Sequence, residues 1–246
     1  MAKHWHVGCS GFYYNHWKGI FYPEDLPKKG WFEYYQQHFN TLELNVSFYR
    51  FPSLTTFESW HKKTYPEFSF AVKAPRLITH YKQFHDTAGP MEGYYSIMKK
   101  GLKEKLGAVL FQCPPRFSFS EERLENIIRT LDPSFPNVIE FRHESWWTEK
   151  VYKKLAAINT SFCGISHPLL PDDVIMNTER VYYRYHGVKQ LYASRYSVAE
   201  LKKTADYIKK KRKPKDCFIF FNNDIGGSAI YNAREMLQLT GGNGTT

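Results

Sequence analysis

The chain has no apolar run approaching the length of a bilayer span, so no membrane-crossing helix and no membrane partner are expected. Its four cysteines, Cys9, Cys113, Cys163 and Cys217, form no C-x-x-C pair, which argues against a zinc knuckle or a dithiol redox motif. Spread this widely, they read as buried thiols in a reducing compartment. No pair of histidines has H-x-x-x-H spacing. There is no low-complexity insert and no composition break to mark a second domain, so residues 1–240 read as one domain and residues 241–246 as a flexible tail. Met1-Ala2-Lys3 runs almost directly into strand-like sequence, which leaves no room for a signal peptide and makes the cytoplasm the expected compartment.

Acidic residues are short relative to basic ones, 24 against 34, giving a net charge of +10. Such an excess would suggest a nucleic-acid partner. One run complicates this. The stretch Lys209-Lys-Lys-Arg-Lys-Pro-Lys215 holds six of the positive charges, and removing them from +10 leaves +4. Where the run falls therefore decides what the charge means.

What the chain does have is a rhythm. Strand-like segments fall at residues 5–10, 41–45, 68–73, 107–112, 138–142, 161–166, 181–186 and 217–223. Helix-like segments alternate with them. One carries Phe32, Tyr35 and Phe39; T-x-x-E and S-x-x-E patterns at 55–58, 118–121 and 197–200 read as capping boxes; Leu124, Ile127, Ile128 and Leu131 form an apolar stripe. A helix is also expected near 91–102, another at 149–157 and a last one through Ile230, Ala233 and Leu237. The rhythm falters once, at 168–177, which has no convincing helix. Eight strands with about seven helices in this length predict a (β/α)8 TIM barrel, with an open doubly wound sheet as the alternative. In the barrel, the basic run lies between the seventh helix and the eighth strand, opposite the site. It then reads as a solvated face, or as a second contact for an acidic partner.

Side chains alternate along a strand, so the inward set can be read from parity. Strand two offers Glu43 and Asn45, strand three Lys73, strand four Gln112, and strand five Glu140 and Arg142. Strand seven offers Arg184 and His186, and strand eight Asn222 and Asp224. The intervening Leu42, Leu44, Ile139, Phe141, Tyr183, Tyr185 and Phe221 suit helix packing. Polar groups at the C-terminal ends of so many strands point to one mouth. The bland alternative is ion pairs that only satisfy one another, such as Glu140 with Arg142 or Lys73.

Fixed Arg and Lys suit a phosphate or carboxylate ligand, and histidine beside a carboxylate suits acid–base work. Glu43, Glu140, His143 and His186 are therefore the candidate catalytic residues. Asn45, Lys73, Gln112, Arg142, Arg184, Asn222 and Asp224 are candidate substrate-binding residues, with Tyr13 and Trp17 from the aromatic loop at 12–17 covering a flat part of the ligand. His80, His85, His143, His167 and His186 fall on mouth loops or strand ends with Glu43, Glu140 and Asp224, so a divalent metal is possible, but without a ligand signature it is not the favoured reading, and the cofactor is left open. Cys9 at the end of strand one reads as a buried thiol before a nucleophile.

Several motifs carry a resemblance: Gly8-Cys-Ser-Gly-Phe-Tyr-Tyr-x-x-Trp17-x-Gly19-x-Phe-Tyr-Pro23, Phe39-Asn-Thr-Leu-Glu43-Leu-Asn-x-Ser-Phe-Tyr49, Phe70-Ala-Val-Lys73-Ala-Pro-Arg76-x-Ile-Thr-His80, Leu110-Phe-Gln112-x-Pro-Pro, Glu140-Phe-Arg-His143-x-Ser-Trp146, Tyr183-x-Tyr-His-Gly187 and Phe221-Asn-Asn-Asp224. Over nearly the whole chain it resembles the YecE-like family, a domain-of-unknown-function family. The resemblance implies a TIM barrel with no established reaction, and places Glu43, Lys73, Gln112, Glu140, Arg142, His143, Arg184, His186 and Asn222 at the family's site-like positions. Two departures stand out: Cys9 where threonine is commoner, and Ser166-His167-Pro168 where an aspartate precedes a small residue and proline. The expected function is an enzyme taking a small anionic, phosphate-bearing substrate or nucleic acid by hydrolase or lyase chemistry. The alternatives are a sugar-modifying barrel or a ligand-binding protein without turnover.

Overall fold

A computed structural model describes residues 3–187 and 189–241. Eight parallel strands form one sheet: β1 (His4–Cys9), β2 (Thr41–Leu44), β3 (Ser69–Lys73), β4 (Leu106–Gln112), β5 (Asn137–Glu140), β6 (Ser161–Ser166), β7 (Arg180–Tyr185) and β8 (Asp216–Phe221). Each pairs with its sequence neighbour from β2 to β8, and β8 pairs with β1. The helices are α1 (Trp31–Tyr35), α2 (Val46–Tyr49), α3 (Leu54–Lys63), α4 (Ala88–Leu102), α5 (Glu121–Thr130), α6 (Glu149–Ala157), α7 (Val198–Lys210) and α8 (Ser228–Thr240). This is the (β/α)8 barrel, and the doubly wound alternative falls.

The last seam, between β1 and β2, closes differently. Among the described residues a single backbone bridge joins them, Ser10 to Glu43, with Gly11 N–H donating to Glu43 O at 2.9 Å. Below it, side chains take over the ladder. The Tyr35 hydroxyl accepts from Cys9 N at 2.7 Å and donates to Thr41 O at 3.0 Å. Asn40 accepts from Val7 N at 2.9 Å and donates to Trp5 O at 2.7 Å. Buried backbone groups that would otherwise lack partners are thus satisfied. The strands approach so closely that a Cβ on Gly8 would lie 2.2 Å from Thr41 O, which explains a glycine here.

The parity reading holds. Ala71, Ala108, Leu110, Val138, Cys163, Ile165, Tyr182, Phe218 and Phe220 fill the barrel interior. Leu42, Leu44, Ile139, Phe141, Tyr183, Tyr185 and Phe221 belong to the larger core between sheet and helices. Two caps sit two residues from where the S/T-x-x-E patterns place them. Ser53 caps α3 by accepting from Thr56 N, and Ser120 caps α5 by accepting from Arg123 N. In both cases a nearer hydroxyl was available, and the first-turn N–H took it. The box at Ser197 and Glu200 forms as expected. Between β3 and α4 a single wide turn occupies Leu77–Tyr81, and α4 begins at Ala88, earlier than the helix expected near 91–102. The helix carrying Phe32 and Tyr35 ends at Tyr35, before Phe39.

Among the described residues no helix joins β6 to β7, as the sequence at 168–177 suggested. At the gap in the helical ring lies a cavity of 1160 Å³, lined by residues that include Tyr152, Asp172, Tyr183, Tyr185, Tyr207 and Lys211. The basic run ends α7 and enters β8 from the bottom of the barrel, opposite the mouth. There Lys209 and Lys213 donate to the carbonyls of Leu239 and Asn177, and Lys215 pairs with Glu179 at 2.8 Å. Gly241 ends α8 with φ +76°, and residues 242–246 of the expected tail lie outside the described residues.

Candidate functional site

The strand ends build the mouth in two tiers. The lower tier is sealed. Glu43, Glu140 and His186 are 0% exposed and Arg184 is 1% exposed. Arg184 lies between the two carboxylates. Its Nη2 donates to Glu43 Oε1 at 2.6 Å and its Nη1 to Glu140 Oε2 at 2.5 Å. Tyr182, inward one pleat below, donates its hydroxyl to Glu43 Oε2 at 2.7 Å. Arg142 Nε donates to Glu140 Oε1. Every carboxylate oxygen therefore has a donor, as buried charge demands. Burial would push the Glu140 carboxyl up. The Arg142 and Arg184 guanidinium groups outweigh it and hold the group well below the usual carboxylate range.

His186 completes the floor. Arg142 Nη2 lies 3.0 Å from its Nε2, and the Asn222 amide lies 3.0 Å from its Nδ1. A guanidinium only donates, so Nε2 supplies the lone pair and the ring proton sits on Nδ1. The Asn222 amide meets that N–H when it presents its oxygen. Burial, reinforced by Arg142 and Arg184, lowers the imidazole pKa well below its ordinary value, so His186 is neutral.

The upper tier is half-buried and faces the opening. It holds Asn45, Lys73, Gln112, Arg142, His143, His167 and Asn222. Lys73 stands at the end of β3 with its ammonium 4.2 Å from the centre of the Phe48 ring. The hydroxyl of the preceding Ser47 shares its one proton between the carbonyls of Leu44 and Lys73, at 2.8 and 2.5 Å. No described carboxylate lies within ion-pairing distance of Lys73. Burial, then the positive charge of Arg184, pulls its pKa down to about 8. Gln112 donates to Cys113 O at 2.7 Å. His143 accepts from Ser145 N at Nδ1 and His167 accepts from Leu169 N at Nδ1, so each neutral ring carries its proton on Nε2. Asn45 Oδ1 and Arg184 Nε are buried with no partner among the described residues, in a cluster where nearly everything else is paired.

Three candidates are not brought into this cluster. Trp17 is 0% exposed and packs against Tyr14, Phe21 and Tyr22, so it is core and presents no face to a ligand. Tyr13 is exposed but lies against Trp31, with Lys28 over its ring. Asp224 turns to His16, 3.4 Å away, and burial raises its pKa. His85 is exposed and near Asn126. The Cys9 thiol is fully buried and its pKa is pushed up by burial, which suits packing and not attack. Ser166, where a carboxylate would be commoner, is buried and bonded to the Tyr196 hydroxyl at 2.9 Å.

The sequence reading missed Tyr182, whose parity with Arg184 and His186 was available. It also missed Arg76, which stands at the rim between the exposed rings of Tyr49 and Tyr81. No periodicity marks a loop cation of that kind. Among the described residues no group of three or more His, Cys, Asp or Glu side chains is placed to hold a metal ion. The physical reason at the mouth is that guanidinium and phenol donors already occupy the oxygens of Glu43 and Glu140.

Fold and site together define a class: a parallel β/α barrel whose mouth holds a buried arginine–carboxylate cluster under a ring of polar side chains. The chain belongs to the DUF72 family, described as proteins of unknown function, whose model matches residues 6–246. It is 27% identical over 253 residues to the UPF0759 protein YunF of Bacillus subtilis, covering 89% of each chain. A DUF72-family crystal structure from Thermotoga maritima superposes with a TM-score of 0.87 at 32% identity, covering 96% of this chain and 98% of that one. A second, from Enterococcus faecalis, gives 0.82 at 19% identity over 96% and 95%, and shares the fold. No helix among the described residues is long and apolar enough to cross a membrane.

Proposed function

We propose that the mouth binds an anionic, phosphate-bearing substrate, and that the protein is an enzyme acting on it by acid–base chemistry of the hydrolase or lyase type. The observation that carries this is the charge balance. Glu43 and Glu140 neutralise Arg184 and Arg142, which leaves the Lys73 ammonium without a counter-ion at the opening. A desolvated surplus cation beside a guanidinium is what an anion replaces water to reach. The sealed tier acts by positioning. Glu43, Glu140 and His186 fix the two arginines, while Lys73, Gln112, Arg142 and the Nε2–H of His143 meet the ligand. Lys73 and His143 are the groups placed to exchange protons.

The sugar-hydrolase alternative needs two carboxyl groups facing each other across open space. Here a guanidinium fills the space between Glu43 and Glu140, and Asp224 is turned to His16. A nucleic acid is the extended version of the same ligand, and Arg76 between Tyr49 and Tyr81 would suit its backbone and bases. The free, buried thiols fit the expected cytoplasmic setting.

Calorimetric titration tests the reading with inorganic phosphate, a nucleoside monophosphate, a short oligonucleotide and a neutral disaccharide. Phosphate-bearing ligands should bind, and Lys73→Met should weaken them about tenfold or more, the worth of one charge-assisted contact. Binding of the disaccharide alone, or phosphate affinity indifferent to Lys73→Met, would refute it.

A further inference from the structure

We propose that Lys73 is a Schiff-base lysine, whose amine condenses with the aldehyde or ketone group of a small substrate that also carries a carboxylate or phosphate. This rests on the anion-binding reading of the mouth and adds the identity of the reacting group.

Three observations place the amine for that chemistry. Lys73 is fixed at a strand end, with its head 4.2 Å from the centre of the Phe48 ring and no described carboxylate within ion-pairing distance. Arg142 belongs to the same cluster. Its Nε and Nη2 are committed to Glu140 and His186, and its Nη1 has no hydrogen bond to a described residue, so it can take the substrate's anion and orient the carbonyl. The cluster also sets protonation. With its pKa drawn from 10.5 to about 8 by burial and the Arg184 charge, Lys73 holds roughly two to three orders of magnitude more free amine at neutral pH than a solvated lysine. An ion-paired structural lysine would be held charged, the opposite arrangement.

The step balances without a cofactor. The ammonium passes one proton to a rim group, and the amine lone pair forms a C–N bond to the carbonyl carbon as the C=O π pair moves to oxygen. A proton then passes from the nitrogen to that oxygen, giving the neutral carbinolamine, whose nitrogen lone pair expels the hydroxyl as water once the rim group returns to it the proton first taken from the ammonium. Ammonium plus carbonyl thus gives protonated imine plus water. The cationic imine draws electrons from a neighbouring C–C or C–H bond, which is lyase chemistry.

Borohydride reduction traps the imine as a stable secondary amine. The full-length protein is incubated with pyruvate or with dihydroxyacetone phosphate, reduced, and followed by intact mass and peptide mapping. The two probes separate a carboxylate-bearing from a phosphate-bearing carbonyl. The expected result is one adduct per chain, mapped to Lys73, with at least one probe. Lys73→Arg should abolish it, whereas Lys215→Arg, at the bottom of the barrel, should leave it intact. The rate of trapping should climb through pH about 8, not 10.5. An adduct spread over surface lysines, an adduct surviving Lys73→Arg, or no adduct in a protein that binds inorganic phosphate overturns the Schiff-base role and leaves the anion site standing. A protein that neither binds phosphate nor traps an adduct overturns both.

Discussion

Replacing Glu140 by Gln removes one charge from the floor of the mouth and changes almost no volume. In the native protein Glu140 is 0% exposed and accepts from Arg142 and from Arg184, itself 1% exposed. In the variant, both guanidinium groups share Glu43 as their one buried counter-ion, and an amide N–H faces a donor. Breaking a buried ion pair by deleting one partner costs about 3–5 kcal/mol, because the other charge stays uncompensated. For a domain of this length each kcal/mol moves Tm by about 2–4 °C, so a fall of roughly 6–20 °C is expected. Thermal and urea unfolding at pH 7 measure it. A second arm uses acid. The Glu140 carboxyl is held below 4.5 in the folded state, so its contribution is complete above that value and is lost as pH falls through the folded-state pKa. The stability gap between wild type and variant should therefore narrow below pH 4.5. A double variant with Arg142→Gln should be less damaged than the sum of the singles by about 1–3 kcal/mol. A Tm within about 2 °C of wild type, with an unchanged acid slope, would refute the claim that this cluster is tightly coupled.

Other consequences can be checked by similar means. Tyr35→Phe removes the hydroxyl that joins β1 to β2 and should cost about 2–3 kcal/mol in urea unfolding, since it strands a buried N–H and a buried C=O. Ser197→Ala breaks the capping box of α7 and should cost about 1 kcal/mol. His6, stacked on Phe218 at 4.2 Å, has its pKa lowered to about 4, mainly by burial. An unfolded chain binds that proton more readily, so stability should be lost as pH falls from 6.5 toward 4, and His6→Gln should flatten the profile in that window.

Much of this protein is written in local periods. Alternation of strand and helix patterns sets the barrel, and parity along β2, β5 and β7 already turns Glu43, Glu140, Arg184 and His186 inward. Even the missing helix after β6 is legible, as a stretch without an apolar stripe. The sequence by itself therefore determines the fold and the face on which polar groups gather. It does not determine who pairs with whom. Arg184 meets Glu43 across 141 positions and Glu140 across 44, and only closure of the barrel makes those distances short. Burial is decided there too: it turns the carboxylates from candidate bases into fixed counter-charges, hides Trp17 in the core, and leaves Lys73 at the opening with its charge unanswered. Parity needs two neighbouring residues, whereas charge balance and desolvation depend on every strand end at once.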